Sequence, residues 1–215
     1  MIRQYSAFIL FVTSMAALGD DDCRKLYRLT DLNYAIEPGI SLQASETIPA
    51  HCSVTGVINR AIRFTVRMPN RWNGKMMFSG VGGLAGVIGD TTSLLDQGFA
   101  MASTDTGHEM QEALAFIQKP EALIDYAFRG VHLATVAAKK VISTYYGKTI
   151  DYSYFKGCSN GGRAAMLEAA RFPNDYDGII AGAPAFQLVE RLYWFQYVFR
   201  AQESNPLTHK SLAIL

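Results

Sequence analysis

Five residues, Gly157-Cys158-Ser159-Asn160-Gly161, constrain this chain more than any other stretch. Tyr152 to Lys156 before them reads as a strand. Gly162 to Phe172 after them reads as a helix, stopped by Pro173. A G-x-S-x-G run between strand and helix forms a turn so sharp that the residues on either side of the serine must be small. Such a turn lifts the serine oxygen clear of the sheet edge and points a helix N-terminus at it. Ser159 is therefore the candidate nucleophile. The backbone N–H of Asn160 is the candidate donor to an oxyanion forming beside it.

The rest of the chain supplies a scaffold for that turn. Between Cys23 and about Pro69, alternating segments such as Ile62 to Met68 read as strands of an extended N-terminal layer. Asn73-Gly74 marks a reversal, and Lys75 to Ser79 is a short apolar run suited to a strand buried on both faces. A second such run, Phe99 to Thr104, ends in the polar loop Asp105-Thr106-Gly107-His108. Pro120 to Tyr146 has helical periodicity, with Pro120 suited to the first turn, Lys139 and Lys140 late, and Gly147 closing it. Gly178 to Gly182 is a further buried strand. Strands alternating with helices predict an α/β fold with a mostly parallel sheet and flanking helices.

Gly80-Val81-Gly82-Gly83-Leu84-Ala85-Gly86 follows the Lys75 to Ser79 strand. Glycine lets backbone approach a substrate oxygen closely, so Gly82 or Gly83 is the candidate for a second oxyanion donor. A rival reading exists. Gly80-x-Gly82-x-x-Ala85 also fits a dinucleotide-binding fingerprint, with Asp105 placed after the next strand as a ribose-binding acid. That alternative leaves the serine turn unexplained.

Composition narrows the class. Of 215 residues 49% are apolar and 18% charged, a globular balance with one sizeable core, and the formal net charge of +1 exerts no pull on nucleic acid or anionic lipid. Arg3 precedes an apolar run, Ala7 to Leu18, too short to span a bilayer and ending in small residues before Asp20-Asp21-Asp22. Residues 1–19 read as a signal peptide, with a buried N-terminal helix as the other reading, and residues 20–215 as the mature catalytic part. The expected location is secreted or periplasmic, with no membrane attachment after cleavage. Cys23, Cys52 and Cys158 make an odd count for an exported chain: two can pair, and one is left over.

The chain resembles the tannase/feruloyl esterase family. The likeness runs through Trp72 to Lys75, the Gly80 to Gly86 loop, Gly98 to His108 and Arg129 to His132. It is most specific in Gly157 to Arg163, Arg171-Phe172-Pro173 and Tyr176 to Ala185, and the cysteine before the nucleophile sets this family apart from other α/β-hydrolases. The resemblance implies hydrolysis of galloyl- or feruloyl-type aromatic esters through an acyl-serine. It also implies a Ser…Asp…His triad, a lid domain with structural calcium, and a disulfide joining the cysteine beside the nucleophile to one beside the catalytic histidine. Ser159 and Cys158 match that pattern. The lid with its calcium site, the later strands, the acid, the histidine and the partner of Cys158 have no counterparts before Leu215. The segment between His108 and Pro120 is also shorter than is usual in the family. The expectation is an incomplete α/β-hydrolase fold: the N-terminal part of an esterase acting on a small aromatic ester, or a non-catalytic binding remnant of one. The family bonds an N-terminal cysteine to one nearby, which implies a Cys23–Cys52 pair and leaves Cys158 for the missing cysteine.

Residues that could substitute for the absent triad members are few. His209 is the only histidine after Ser159 and lies in a tail with no later strand. Asp175 and Asp177 lie in the turn after the elbow helix, where carboxylates are usually solvated caps. His108 sits in a loop near the predicted site rim, His132 inside a helix and His51 in the N-terminal layer. None of these spacings is that of a metal site, so neither a metal nor another cofactor is expected. The aromatics Tyr193 to Phe199 read as a surface for a lid to pack on, and exposed without one.

Overall fold

A computed structural model describes residues 20–112, 114–185, 187–204 and 206. The leader expected at residues 1–19 and His209 lie outside the described residues. The chain opens with a short helix α1 (Asp20–Arg24) and a 3-10 turn (Lys25–Leu29), followed by strands β1 (Tyr34–Ile36), β2 (Ile40–Leu42), β3 (His51–Ile58) and β4 (Ile62–Pro69). Next come β5 (Lys75–Ser79), β6 (Ala100–Thr104), α2 (Pro120–Ile124), α3 (Gly130–Tyr146), β7 (Tyr152–Cys158), α4 (Asn160–Arg171), β8 (Gly178–Gly182) and α5 (Leu188–Ser204).

All eight strands join one sheet in the order β1-β3-β4-β6-β5-β7-β8, with β2 also paired to β3. The two apolar runs lie at its centre: every residue of β6 is buried, and so are four of the five in β5. The α/β class holds, and the sheet divides into two zones. From β6 through β5 and β7 to β8 the strands are parallel. From β1 to β4, and at the β4–β6 seam, they are antiparallel. Because β5 to β8 run the same way, the loops after Ser79, Thr104, Cys158 and Gly182 all emerge at one sheet edge, where α/β sheets place their sites.

One face of the sheet carries the main core. Val131, Ala134, Ala138, Val141 and Ile142 of α3 pack with Phe64, Met76, Phe78 and Phe155. Each fully buried Phe contributes about 1.5–3 kcal/mol of transfer free energy. Trp72 stacks flat on Tyr146 with ring centroids 4.1 Å apart, pinning the end of α3 to the loop before β5. On the other face, Met77, Leu95 and Met101 form a smaller cluster. Cys23 is bonded to Cys52, tying α1 to β3.

Most boundaries shift from the sequence reading by one or two residues, and two differences bear on the site. The helix expected from Pro120 to Tyr146 is interrupted by a π-helical segment, Asp125–Arg129. There Arg129 Nε donates to Asp125 Oδ1 at 2.5 Å, and Gly130 packs so closely on Thr106 that a Cβ would sit 3.1 Å from its Cα. The elbow helix starts at Asn160, not Gly162, because Gly161 and Gly162 already lie in its first turn.

Candidate active site

Ser159 caps α4 with φ 57° and ψ −119°, a strained left-handed conformation for a residue with a side chain. The surroundings hold it there. Its N–H donates to Gly182 O at 3.0 Å, and its carbonyl accepts from Arg163 N at 2.9 Å and Ala185 N at 3.2 Å. The flanking glycines are dictated by space. A Cβ on Gly157 would run into the Gly161 backbone, one on Gly161 would stand 3.0 Å from Gly80 C, and one on Gly162 would collide with Gly182 O. The three backbones meet too closely for side chains, and Ser159 is left exposed above them.

The glycine loop after β5 lies against the elbow. Gly80 N donates to Lys156 O at 2.8 Å, and a Cβ on Gly82 would stand 3.9 Å from Cys158 O. Gly83 has φ +61°, which favours glycine, and a Cβ there would meet nothing within 4 Å. Further along, Gly86 N donates to Asp105 O and Met110 N to Gly86 O, both at 3.0 Å. The residues after the loop form turns, Ala85 has φ 59°, and no helix begins there. The dinucleotide reading fails on that point, since its fingerprint needs a helix N-terminus to hold the pyrophosphate. Asp105 is also committed elsewhere. Its Oδ1 accepts from Arg63 N at 3.0 Å and Gly107 N at 2.9 Å, and burial pushes its carboxyl up to about 6.

A cavity of ≈350 Å³ opens beside the elbow, lined by Ser79, Gly80, Lys156, Cys158, Ile180 and Gly182. The Cys158 thiol is free and exposed at its edge. A second cavity, ≈360 Å³, lies beyond the glycine loop, where the Arg63–Glu109, Lys119–Glu112 and Arg129–Asp125 pairs line it. Its charges are largely matched to one another.

The three histidines among the described residues each bond to a partner other than the serine. His108 is buried, stacks on Phe116 at 3.9 Å, and donates from Nε2 to Leu84 O at 2.7 Å. Burial holds it below the ordinary histidine range, so it stays neutral and braces the glycine loop. His51 is buried in the N-terminal layer, its Nδ1 donating to Pro49 O at 2.8 Å. His132 stacks on Phe172 at 3.8 Å and bonds Asp175 Oδ2 at 2.6 Å. That pair sits where α4 leads into β8, the opposite edge of the sheet from Ser159. β7 spans the gap with about six residue steps of 3.3 Å, or about 20 Å. Among the described residues, no histidine or carboxylate hydrogen-bonds to Ser159.

The turn after α4 corrects one expectation. Asp177 is exposed and accepts from Ser153 N of β7 at 2.7 Å, but Asp175 is not a solvated carboxylate. Its side chain is mostly buried against His132, and Glu168, only 1% exposed, stands beside them. One ligand atom from each of these three residues lies within 4.8 Å of the others, a clustering that sequence spacing hid. Burial, then the charge of Asp175, pushes the Glu168 carboxyl up to about 8. The group thus stays protonated at neutral pH. Lys139, which donates to Asp175 O, supplies the local positive charge.

A parallel sheet whose strand ends carry a strained serine between close-packed glycines, with a second glycine loop alongside, defines the α/β-hydrolase fold. The chain belongs to the tannase and feruloyl esterase family, whose model matches residues 47–213. It is 36% identical over 171 residues to the mono(2-hydroxyethyl) terephthalate hydrolase of Piscinibacter sakaiensis, covering 67% of this chain and 28% of that protein. It is 37% identical over 136 residues to feruloyl esterase B of Aspergillus niger, covering 62% and 26%. Among solved structures, feruloyl esterase B from Aspergillus oryzae superposes with a TM-score of 0.69 at 26% identity, over 81% of this chain and 39% of that one. The chain therefore spans just over a quarter of the length of these curated relatives.

Proposed function

We propose that this chain carries the nucleophile and the oxyanion donors of an exported serine esterase acting on small esters of aromatic acids. The observation that carries the reading is Ser159 held at φ 57° at the N-terminus of α4 and exposed above the glycine backbones. In this reading Ser159 Oγ attacks the ester carbonyl. The resulting oxyanion accepts from the N–H of Asn160 and from the N–H of Gly82 or Gly83, and the alcohol leaves an acyl-Ser159, which water then hydrolyses. The base and its orienting acid come from outside the contacts made by the described residues. Feruloyl-type and similar aromatic-acid esters are the proposed substrate class, in keeping with the names of the relatives. Export agrees with the Cys23–Cys52 bond, since disulfides persist in oxidising compartments. No helix among the described residues is long and apolar enough to cross a membrane.

The test is hydrolysis of methyl ferulate and methyl gallate by the purified chain and its Ser159→Ala variant. Loss of a triad nucleophile costs on the order of a millionfold, so the variant should fall to background. Turnover that survives the substitution would refute the assignment. A second reading starts from the described residues, among which no histidine or carboxylate hydrogen-bonds to Ser159: the chain is a non-catalytic remnant that binds aromatic esters. A parent chain that binds methyl ferulate without turning it over would select that reading.

A further inference from the structure

The two halves of the proposed oxyanion hole come from loops about eighty residues apart in sequence, so their spacing must be fixed by a contact between them. That contact is the Asn160 side chain. Its Nδ2 donates to Val81 O at 3.0 Å, the residue next to Gly82. Its Oδ1 accepts from Tyr126 Oη at 2.9 Å and Arg163 Nε at 2.8 Å. Because a guanidinium nitrogen only donates, the carboxamide has one permitted orientation, with its N–H toward the loop. Asn160 is 5% exposed, so these bonds lie out of competition with water.

The support is layered. Arg163 lies over the Tyr126 ring, 4.6 Å from its centroid, and donates to Ala127 O at 2.8 Å and Tyr126 O at 2.9 Å. Both carbonyls belong to the π-helical segment Asp125–Arg129, and a π turn inside a helix is a recurrent device at functional sites. The far end of the glycine loop is held separately, by His108 on Leu84 O. Gly82 and Gly83 are thus bracketed between two tethered carbonyls, Val81 and Leu84.

We propose that Asn160 acts twice, its backbone N–H as oxyanion donor and its side chain as the positioning group that sets the Gly82–Gly83 backbone, with Arg163 and Tyr126 locking its orientation. This rests on the elbow reading above. Asn160→Asp is the sharpest test. The carboxylate keeps both acceptor contacts and the backbone N–H, yet offers nothing to Val81 O. Tyr126→Phe is the milder partner, loosening the carboxamide while leaving the Val81 bond.

Two measurements on the full chain separate the proposal from its foundation. In methyl ferulate kinetics, Asn160→Asp should lower kcat by about 10–100-fold with KM unchanged, the loss expected from misplacing a donor by about 1 Å, and Tyr126→Phe by less. In hydrogen exchange, residues 80–86 should exchange faster in Asn160→Asp while β6 and α3 keep their protection. A kcat equal to the parent's, or a drop in kcat with exchange at 80–86 unchanged, would overturn the proposal. If the parent chain does not turn over ester, exchange alone decides: faster exchange at 80–86 upholds the tether, and unchanged exchange removes it.

Discussion

Glu168→Gln tests the buried cluster at the far edge of the sheet. Glu168 is 1% exposed, and its Oε2 has no hydrogen-bond partner among the described residues. The groups facing it are Asp175, His132 and Lys139, with the hydroxyl of buried Tyr176 bonded to Thr135 close by. Its carboxyl rises from 4.5 to about 8. Below pH 4.5 the folded and unfolded chains both carry the proton, and the shift costs nothing. From there to about pH 8 the unfolded chain has lost the proton while the folded chain keeps it. Stability therefore falls with rising pH, by about 1.4 kcal/mol per pH unit, and levels off above the folded pKa. The full effect is on the order of 5 kcal/mol, of which about 2 kcal/mol falls between pH 6 and 8, because the folded group is half titrated by pH 8. Glutamine is nearly isosteric, never ionises, and can donate to Asp175 where the acid proton did. The melting temperature of the parent should drop by about 5–10 °C between pH 6 and 8, given about 2–4 °C per kcal/mol for a chain of this size. The variant should lose much less. Parallel melting curves for parent and variant across that interval would show that Glu168 is ionised in the fold and that the reasoning is wrong.

Other expectations follow from contacts on the page. Cys52→Ser opens the loop closed on Cys23 and should cost about 3–4 kcal/mol in the chain-entropy model, read by urea denaturation; no change in midpoint would count against that bond. Alkylation of the unreduced, denatured chain followed by mass spectrometry should label Cys158 alone, and a Cys158-linked peptide would contradict the pairing. Gly162→Ala drives a methyl into Gly182 O and should destabilise by about 1–3 kcal/mol or more, whereas Gly147→Ala meets open space and pays only for its φ of +63°. Equal losses at the two glycines would show that the elbow has slack.

Much of the fold was legible because its signals are local. Lys75 to Ser79 and Phe99 to Thr104 read as short apolar runs suited to buried strands, the pattern a central parallel strand carries. Gly157 to Gly161 read as a strand-to-helix turn because glycine is required where backbones meet at about 3 Å. What stayed hidden depends on pairs distant along the chain. Nothing in Arg129-Gly130-Val131-His132 shows that His132 will stack on Phe172 and meet Asp175 forty-three residues later. The π turn at Asp125–Arg129 is invisible to a 3.6-residue period, because one extra residue per turn barely alters the apolar pattern.

The same distinction explains why the elbow was found and its bracing was not. A nucleophile turn is specified by what its own residues lack, namely side chains at Gly157, Gly161 and Gly162. The reach of Asn160 to Val81 is specified by what a distant loop presents to it, and any polar residue at that position would have read equally well. A glycine loop gains close approach to substrate at the cost of stiffness, since glycine has the most backbone freedom to lose. The stiffness must then be supplied by neighbours with fixed geometry. Here those neighbours are a carboxamide held by a guanidinium and a neutral imidazole packed on Phe116, each gripping one carbonyl on either side of Gly82-Gly83. Removing either side-chain grip should loosen the loop while leaving Ser159 in its turn, because the serine is held by backbone bonds to Gly182, Ala185 and Arg163 and by neither clamping side chain.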